Sequence, residues 1–336
     1  MNHRIRLLAA LFGTLVLIGA AVGYTLYARG QGKDQAGTNA VPVLPGQRVT
    51  VEPGRLLFRN TAAGPDFGRL ATVPLGQPGA VRQTADLRCD RFAASGDGTA
   101  LCLAARPGAL PPSTDVLVLD RALNVRHRLE LPGTPSRARL SPDGRFAFWT
   151  LFVTGDSYAE TGFSTRAGIL EVNTGRLVKT IEELPLLLNG KRYFAADVNY
   201  WGITFAADGD RFYATMASRG RTHLVEAGYR RYGGRVLREN VECPALSPDG
   251  QRLAFKKRVA DAAAPWRLFV LDLATMAETP LAEQRSVDDQ ALWQDDGTLL
   301  YALPGAGGGS DVWSVPADGS GTPRLLVPSA ASPAIT

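Results

Sequence analysis

Histidine and cysteine are scarce in this 336-residue chain, with three of each, and His3 sits in the charged N-terminal tip. No Cys-x-x-Cys or His-x-x-x-His spacing occurs, which leaves zinc-type ligand sets unsupplied. The G-x-S-x-G pentapeptide of a nucleophile elbow is also missing, and no peptidase domain is expected after the last internal repeat. The acidic groups Asp208-Gly209-Asp210 and Asp288, Asp289, Asp295, Asp296 do not fit a calcium loop; turn chemistry explains the first and surface charge the second. These absences lead us to expect no metal, no cofactor and no catalytic constellation.

Glycine and proline are plentiful instead, 36 and 22 residues without a G-X-Y period. Long helices should be scarce in such a chain, and an all-β architecture is the first expectation.

One long apolar run does occur. Leu7 to Ala28 carries no charge over 22 residues, follows Arg4 and Arg6, and has Tyr24 and Tyr27 near its far end. As a helix it would span about 33 Å, enough to cross a bilayer core. Its length favours an uncleaved signal-anchor over residues 1–28 rather than a cleaved signal peptide, although Gly19-Ala20-Ala21 offers a cleavage site. Residues 29–48 are polar and punctuated by Gly and Pro, and read as a flexible tether with a span of about 25 Å. We therefore expect a single-pass membrane protein whose remaining residues, 49–336, lie outside the cytoplasm; cleavage would make it secreted.

The remainder repeats itself. A turn ending in Asp-Gly or Gly, followed by a short apolar strand, has its last glycine at 54, 98, 144, 209, 250 and 297, in steps of 44, 46, 65, 41 and 47. A period in the forties with β-rich runs between turns is the signature of a β-propeller, one four-stranded blade per repeat. A second apolar run follows each turn, as in Asp115–Asp120, Gly168–Asn173, Thr222–Ala227, Arg267–Asp272 and Asp311–Pro316. The chain ends in Ser332-Pro333-Ala334-Ile335-Thr336, which matches the innermost strand Cys243-Pro244-Ala245-Leu246-Ser247 but lacks the turn after it. The C-terminus should therefore supply the missing inner strand of the first blade and close a ring of six, removing the exposed sheet edge.

Ser141-Pro142-Asp143-Gly144-Arg145-Phe146-Ala147-Phe148 and Ser247-Pro248-Asp249-Gly250-Gln251-Arg252-Leu253-Ala254-Phe255 resemble the SPDG core of the WD40-like repeats of TolB-type six-bladed propellers. The resemblance covers residues from about 50 to 336. That repeat also occurs in periplasmic translocation factors, in propellers attached to serine peptidases and in some lyases, so it implies the fold and leaves function open.

Several side chains invite a role. Lys191, Arg192, Tyr193, Asn199, Tyr200 and Trp201 lie in the segment joining the outer strand of one blade to the inner strand of the next, where a channel-mouth binding patch is expected. Packing of Phe194, Tyr200 and Trp201 between blades is the competing reading. The loop between Val153 and Ala167 accounts for the 65-residue step. The basic patch around Tyr229-Arg230-Arg231-Tyr232 is not assigned to nucleic acid, because the chain is placed outside the cytoplasm. Cys89 and Cys102 flank one turn; an oxidising compartment permits a disulfide, and a buried pair of free thiols fits equally. Cys243 reads as a small core residue. The resulting expectation is a non-enzymatic protein-interaction scaffold or accessory factor of an envelope complex. The alternative is a lyase or lactonase, or a ligand-binding propeller, acting on a sugar-derived small molecule with Arg192 and Tyr193 as its first suspects.

Overall fold

In the computed structural model of the chain the described residues are 41–44, 48–153, 164–259 and 264–336. The expected anchor lies outside them, as does the tether apart from residues 41–44 and 48. No helix among the described residues is long and apolar enough to cross a membrane.

The strands follow blade by blade. Blade 1 holds β1 (Val43–Leu44), β2 (Arg55–Asn60), β3 (Arg69–Pro74) and β4 (Arg82–Arg88). Blade 2 holds β5 (Arg91–Ala94), β6 (Ala100–Ala105), β7 (Ser113–Leu119) and β8 (Val125–Pro132). Blade 3 holds β9 (Thr134–Leu140), β10 (Phe146–Val153), β11 (Ser164–Glu171) and β12 (Arg176–Val178). The hairpin β13 (Leu186–Leu188) and β14 (Lys191–Tyr193) precedes blade 4, which continues with β15 (Asn199–Phe205), β16 (Arg211–Ser218), β17 (Arg221–Gly228) and β18 (Gly233–Glu239). Blade 5 holds β19 (Glu242–Leu246), β20 (Arg252–Arg258), β21 (Trp266–Asp272) and β22 (Glu278–Pro280); blade 6 holds β23 (Leu292–Asp295), β24 (Thr298–Pro304), β25 (Ser310–Pro316) and β26 (Arg324–Val327). Finally β27 (Ala330–Ile335) returns to blade 1 and pairs antiparallel with β2, Leu56 opposite Ile335 and Leu57 opposite Ala334.

The innermost strands β27, β5, β9, β15, β19 and β23 touch in cyclic order, which closes the ring of six. Six buried apolar clusters fill the six blade-to-blade contacts. Phe146, Phe148, Phe205 and Tyr229 pack blade 3 on blade 4, and Leu56, Phe58, Leu300 and Val312 pack blade 6 on blade 1. Both faces of each sheet are thus covered, and that is why the apolar alternation along the strands is only partial.

The Ser-Pro-Asp-Gly motif is a latch at the turn between the first two strands of a blade. Ser141 Oγ donates to Asp143 Oδ1 at 2.6 Å and accepts from Phe146 N at 2.9 Å, while Gly144 takes a φ of 68° that favours glycine. Ser247 and Asp249 repeat the arrangement, and the Ser247 hydroxyl with the Gln251 amide holds the Asp249 carboxyl below the usual carboxylate range.

Three details refine the sequence reading. Val43 and Leu44, within the expected tether, pair parallel with Arg82 and Gln83 on the outer edge of blade 1. The 65-residue step is filled in part by the β13–β14 hairpin, which docks parallel on β18; the segment expected as a long loop falls largely outside the described residues. Cys89 and Cys102 form a disulfide with a Cα–Cα distance of 5.4 Å. Cys102 lies opposite Phe92 on β6, and Cys89 precedes β5, so the bond ties the link between blades 1 and 2 to the second strand of blade 2.

Candidate functional site

The inner strands surround a cavity of about 560 Å³. Its rim is made by the exposed turns of blades 2 to 5 at Gly96, Pro142, Asp208 and Pro248 to Asp249, together with the half-buried Gln294 and Thr336. Its walls are mostly small or apolar, including Ala93, Ala138, Leu140, Ala206, Leu246 and Ala334.

The inner end of the cavity is charged. Arg91 at the start of β5 lies 3.6 Å from Asp289, and Arg137 on β9 lies 3.7 Å from Asp288, both carboxylates being in the link that enters blade 6. Two residues further along β9, Arg139 Nη2 donates to the main-chain oxygen of Ala291 at 2.6 Å. Blades 3 and 6 face each other across the ring, so Arg137 and Arg139 are struts that cross the channel. Period-two spacing on β9 puts both on the same side of the strand. Behind them the buried Lys256 contacts Asp288, lies 3.7 Å from Glu242 and stacks on Trp266 with Nζ 4.3 Å from the ring centre. Burial pulls the Arg91 guanidinium below its ordinary pKa, opposed by Asp289, and pushes Arg139 down to about 10. Arg139 remains charged near neutral pH.

The six residues expected at a channel mouth are divided by the structure. Lys191, Arg192 and Tyr193 form β14, the strand at the far end of the blade 4 sheet from the channel. Lys191 and Arg192 are exposed, and the Tyr193 hydroxyl lies 2.8 Å from Ser218 Oγ. Asn199, Tyr200 and Trp201 begin the inner strand β15, at the end opposite the turns that form the cavity rim. Asn199 Oδ1 accepts from Thr165 N at 2.8 Å and Tyr200 is fully buried, so these two join blade 3 to blade 4. Trp201 is half-buried opposite Thr215, whereas Phe194, grouped with them as packing, is 92% exposed. Contiguity in sequence misleads here because the β13–β14 hairpin carries one half of the segment to the sheet edge.

The channel arginines were not singled out from the sequence. The available signal was Ser136-Arg137-Ala138-Arg139-Leu140, two cations alternating in the inner strand just before a Ser-Pro-Asp-Gly turn, where the equivalent strand of blade 5 reads Glu-Cys-Pro-Ala-Leu. His127 and His223 sit on β8 and β17 of different blades, and His127 Nε2 lies 2.7 Å from the Val172 oxygen. Among the described residues no three His, Cys, Asp or Glu side chains are grouped as a metal site.

No protein-family model matches the chain, and no curated protein matches it in sequence. Solved structures do match in fold. TolB from Acinetobacter baumannii is 15% identical with a TM-score of 0.53, over 84% of this chain and 66% of that one. A puromycin-hydrolyzing peptidase from Mycobacterium tuberculosis is 17% identical with a TM-score of 0.50, over 84% of this chain and 45% of that one. An oligogalacturonate lyase from Vibrio parahaemolyticus is 12% identical with a TM-score of 0.48, over 74% and 72% of the two chains. This chain spans just under two thirds of that TolB and less than half of the peptidase. In architecture it is similar to the TolB-type six-bladed β-propellers.

Proposed function

We propose that the protein is an extracytoplasmic, membrane-anchored propeller that acts as a non-enzymatic binding module of a cell-envelope assembly and holds its partner at the turn-side mouth of the channel. The observation that carries this reading is the cavity itself: walls of small apolar and hydroxyl-bearing side chains above an inner end of arginines and aspartates tied in cross-channel ion pairs. Such a shape grips an inserted group, and fixed ion pairs lend it rigidity. The Cys89–Cys102 disulfide supports a place outside the cytoplasm, because such bonds persist in oxidising compartments. The apolar run from Leu7 to Ala28 supports the anchor.

Crosslinking in native membranes, read by mass spectrometry, tests the proposal. The wild type is compared with an Ala207→Arg, Gln294→Arg rim variant and with Arg192→Glu on the distant hairpin. One envelope protein should be captured by the wild type and by Arg192→Glu, and lost from the rim variant. Equal capture by all three would move the docking surface away from the channel. No enrichment over a membrane-protein control would remove the scaffold reading.

A further inference from the structure

We propose that the channel cavity binds a carboxylate carried by an inserted polypeptide, with Arg139 as the group that receives it; this rests on the reading of the turn-side mouth as a protein-docking site. The three channel arginines are not equivalent. Arg91 and Arg137 each have an aspartate within 4.0 Å, at 3.6 and 3.7 Å. Arg139 has none among the described residues. Among the described residues its one hydrogen bond is to the Ala291 carbonyl; its Nε, like that of Arg137, is buried without a partner. A guanidinium offers five N–H donors in a planar fork, so most of the capacity of this one is unused. Burial lowers its pKa to about 10 even though Asp289, beyond ion-pair distance, favours the charge; Arg139 therefore stays charged at neutral pH with no anion in direct contact. The missing anion is what a ligand would bring.

The surroundings define that anion further. Asp289 is already engaged by Arg91, and Asp288 by Arg137 and Lys256. The rim aspartates turn inward on their own loops: Asp208 Oδ1 accepts from the amides of Asp210 and Arg211, and Asp249 Oδ1 from Ser247 and Gln251. None of them satisfies Arg139. The planar fork matches a carboxylate in a bidentate pair. The walls mix alanine, leucine and proline with hydroxyls such as Ser141, Thr204, Ser247 and Ser332, which suits the alternating apolar side chains and amides of a peptide's terminal residues. Water excluded by those walls would strengthen the pair. About 560 Å³ admits a few residues rather than a folded domain, so the ligand enters as a chain end or a protruding loop.

The test uses the full chain in detergent and isothermal titration with acetyl-Ala-Ala-Leu bearing a free carboxylate, the same tripeptide as its C-terminal amide, and galacturonate as a sugar-borne carboxylate. The acid should bind at least about ten-fold more tightly than the amide, the range expected for a hydrogen bond to a charged group. In Arg139→Gln that ratio should fall to about one, with partial recovery in Arg139→Lys. The unliganded Arg139→Gln variant should melt at or above the wild-type temperature, whereas a merely structural strut would be missed and lower it. Equal binding of acid and amide to the wild type, or discrimination that survives in Arg139→Gln, overturns the proposal. Arg139-dependent binding of galacturonate without binding of the peptide acid overturns its polypeptide source. A partner still captured at the rim while acid and amide bind alike would leave the docking reading standing and remove this inference alone.

Discussion

Arg82 Nη1 donates to the Ser329 carbonyl oxygen at 2.8 Å, joining the outer strand of blade 1 to the bend that leads into the closing strand. The same guanidinium binds Asn60 Oδ1 at 2.6 Å and the Pro328 carbonyl, and it lies 5.0 Å from the Phe58 ring centre. Only 2% of Arg82 is exposed. Arg82→Ala would leave two main-chain carbonyls and an amide oxygen without their donor at the point where the ring is fastened. A loss of about 3–5 kcal/mol is expected, visible as a lower urea midpoint. A shift no larger than that of an exposed surface substitution would show that the closure is held elsewhere.

Glu182 should make stability depend on pH with a sign opposite to the usual carboxylate. It lies between blades 3 and 4, accepting from Ala167 N at 3.1 Å, from Tyr200 N at 3.4 Å and from the Thr180 hydroxyl. Burial raises its pKa from 4.5 to about 7. The folded state then holds a proton that the unfolded state has released between those values, so this contribution is complete below pH 4.5 and is lost as pH rises through 7. The loss is about 2 kcal/mol, less than the full shift implies because the residue is only half-buried. Glu182→Gln mimics the protonated form and should flatten this part of the stability profile, measured by denaturant titration from pH 4.5 to 8. An unchanged slope would assign the pH dependence to other groups.

The Cys89–Cys102 bond closes a short loop, with a sequence separation of 13. Constraint of the unfolded chain over such a loop is worth about 3 kcal/mol in the chain-entropy account. A Cys89→Ala, Cys102→Ala double variant should therefore unfold at a lower denaturant concentration by that amount, and added reductant should affect only the wild type. Identical midpoints for the two proteins in oxidising buffer would refute a stabilising role.

Gly202 marks where blade 5 comes closest to β15. Its φ is 64°, and a Cβ built there would stand 2.7 Å from the Cα of Cys243, whose own φ is 50°. Main-chain atoms cannot swing aside as the end of a side chain can. Gly202→Ala should cost about 2 kcal/mol or more from strain and overlap, and Gly220→Ala, at φ 71° with open space around it, should cost less. Similar losses for both, compared by thermal unfolding, would remove the close-approach explanation.

The parts of this fold that could be read from the sequence are those written in local chemistry. A serine, an aspartate and a glycine within four residues supply every side chain of the turn latch, so Ser141 to Gly144 announces a hairpin from local sequence alone. The closing strand was equally legible, because the final pentapeptide repeats the pattern seen around Cys243. The channel was not. Arg139 and Ala291 are 152 positions apart and meet only because their blades, 3 and 6, stand opposite each other on a ring of six. Lys191 and Trp201 are ten positions apart and yet occupy strands at opposite edges of one sheet. The anchor and tether, legible as an apolar run and a polar stretch, fall largely outside the described residues.

The return of the last strand to the first blade also governs how the protein comes into being. Residues 55–60 wait for partners at 330–335, so during synthesis the opening blade stays an incomplete sheet until those residues have emerged. A nascent chain in that state has an unpaired edge and an uncovered apolar face, and a contact of such long sequence separation forms late. Loss of residues 330–335 would open the ring at its seam, which makes one six-residue strand a checkpoint for the whole molecule.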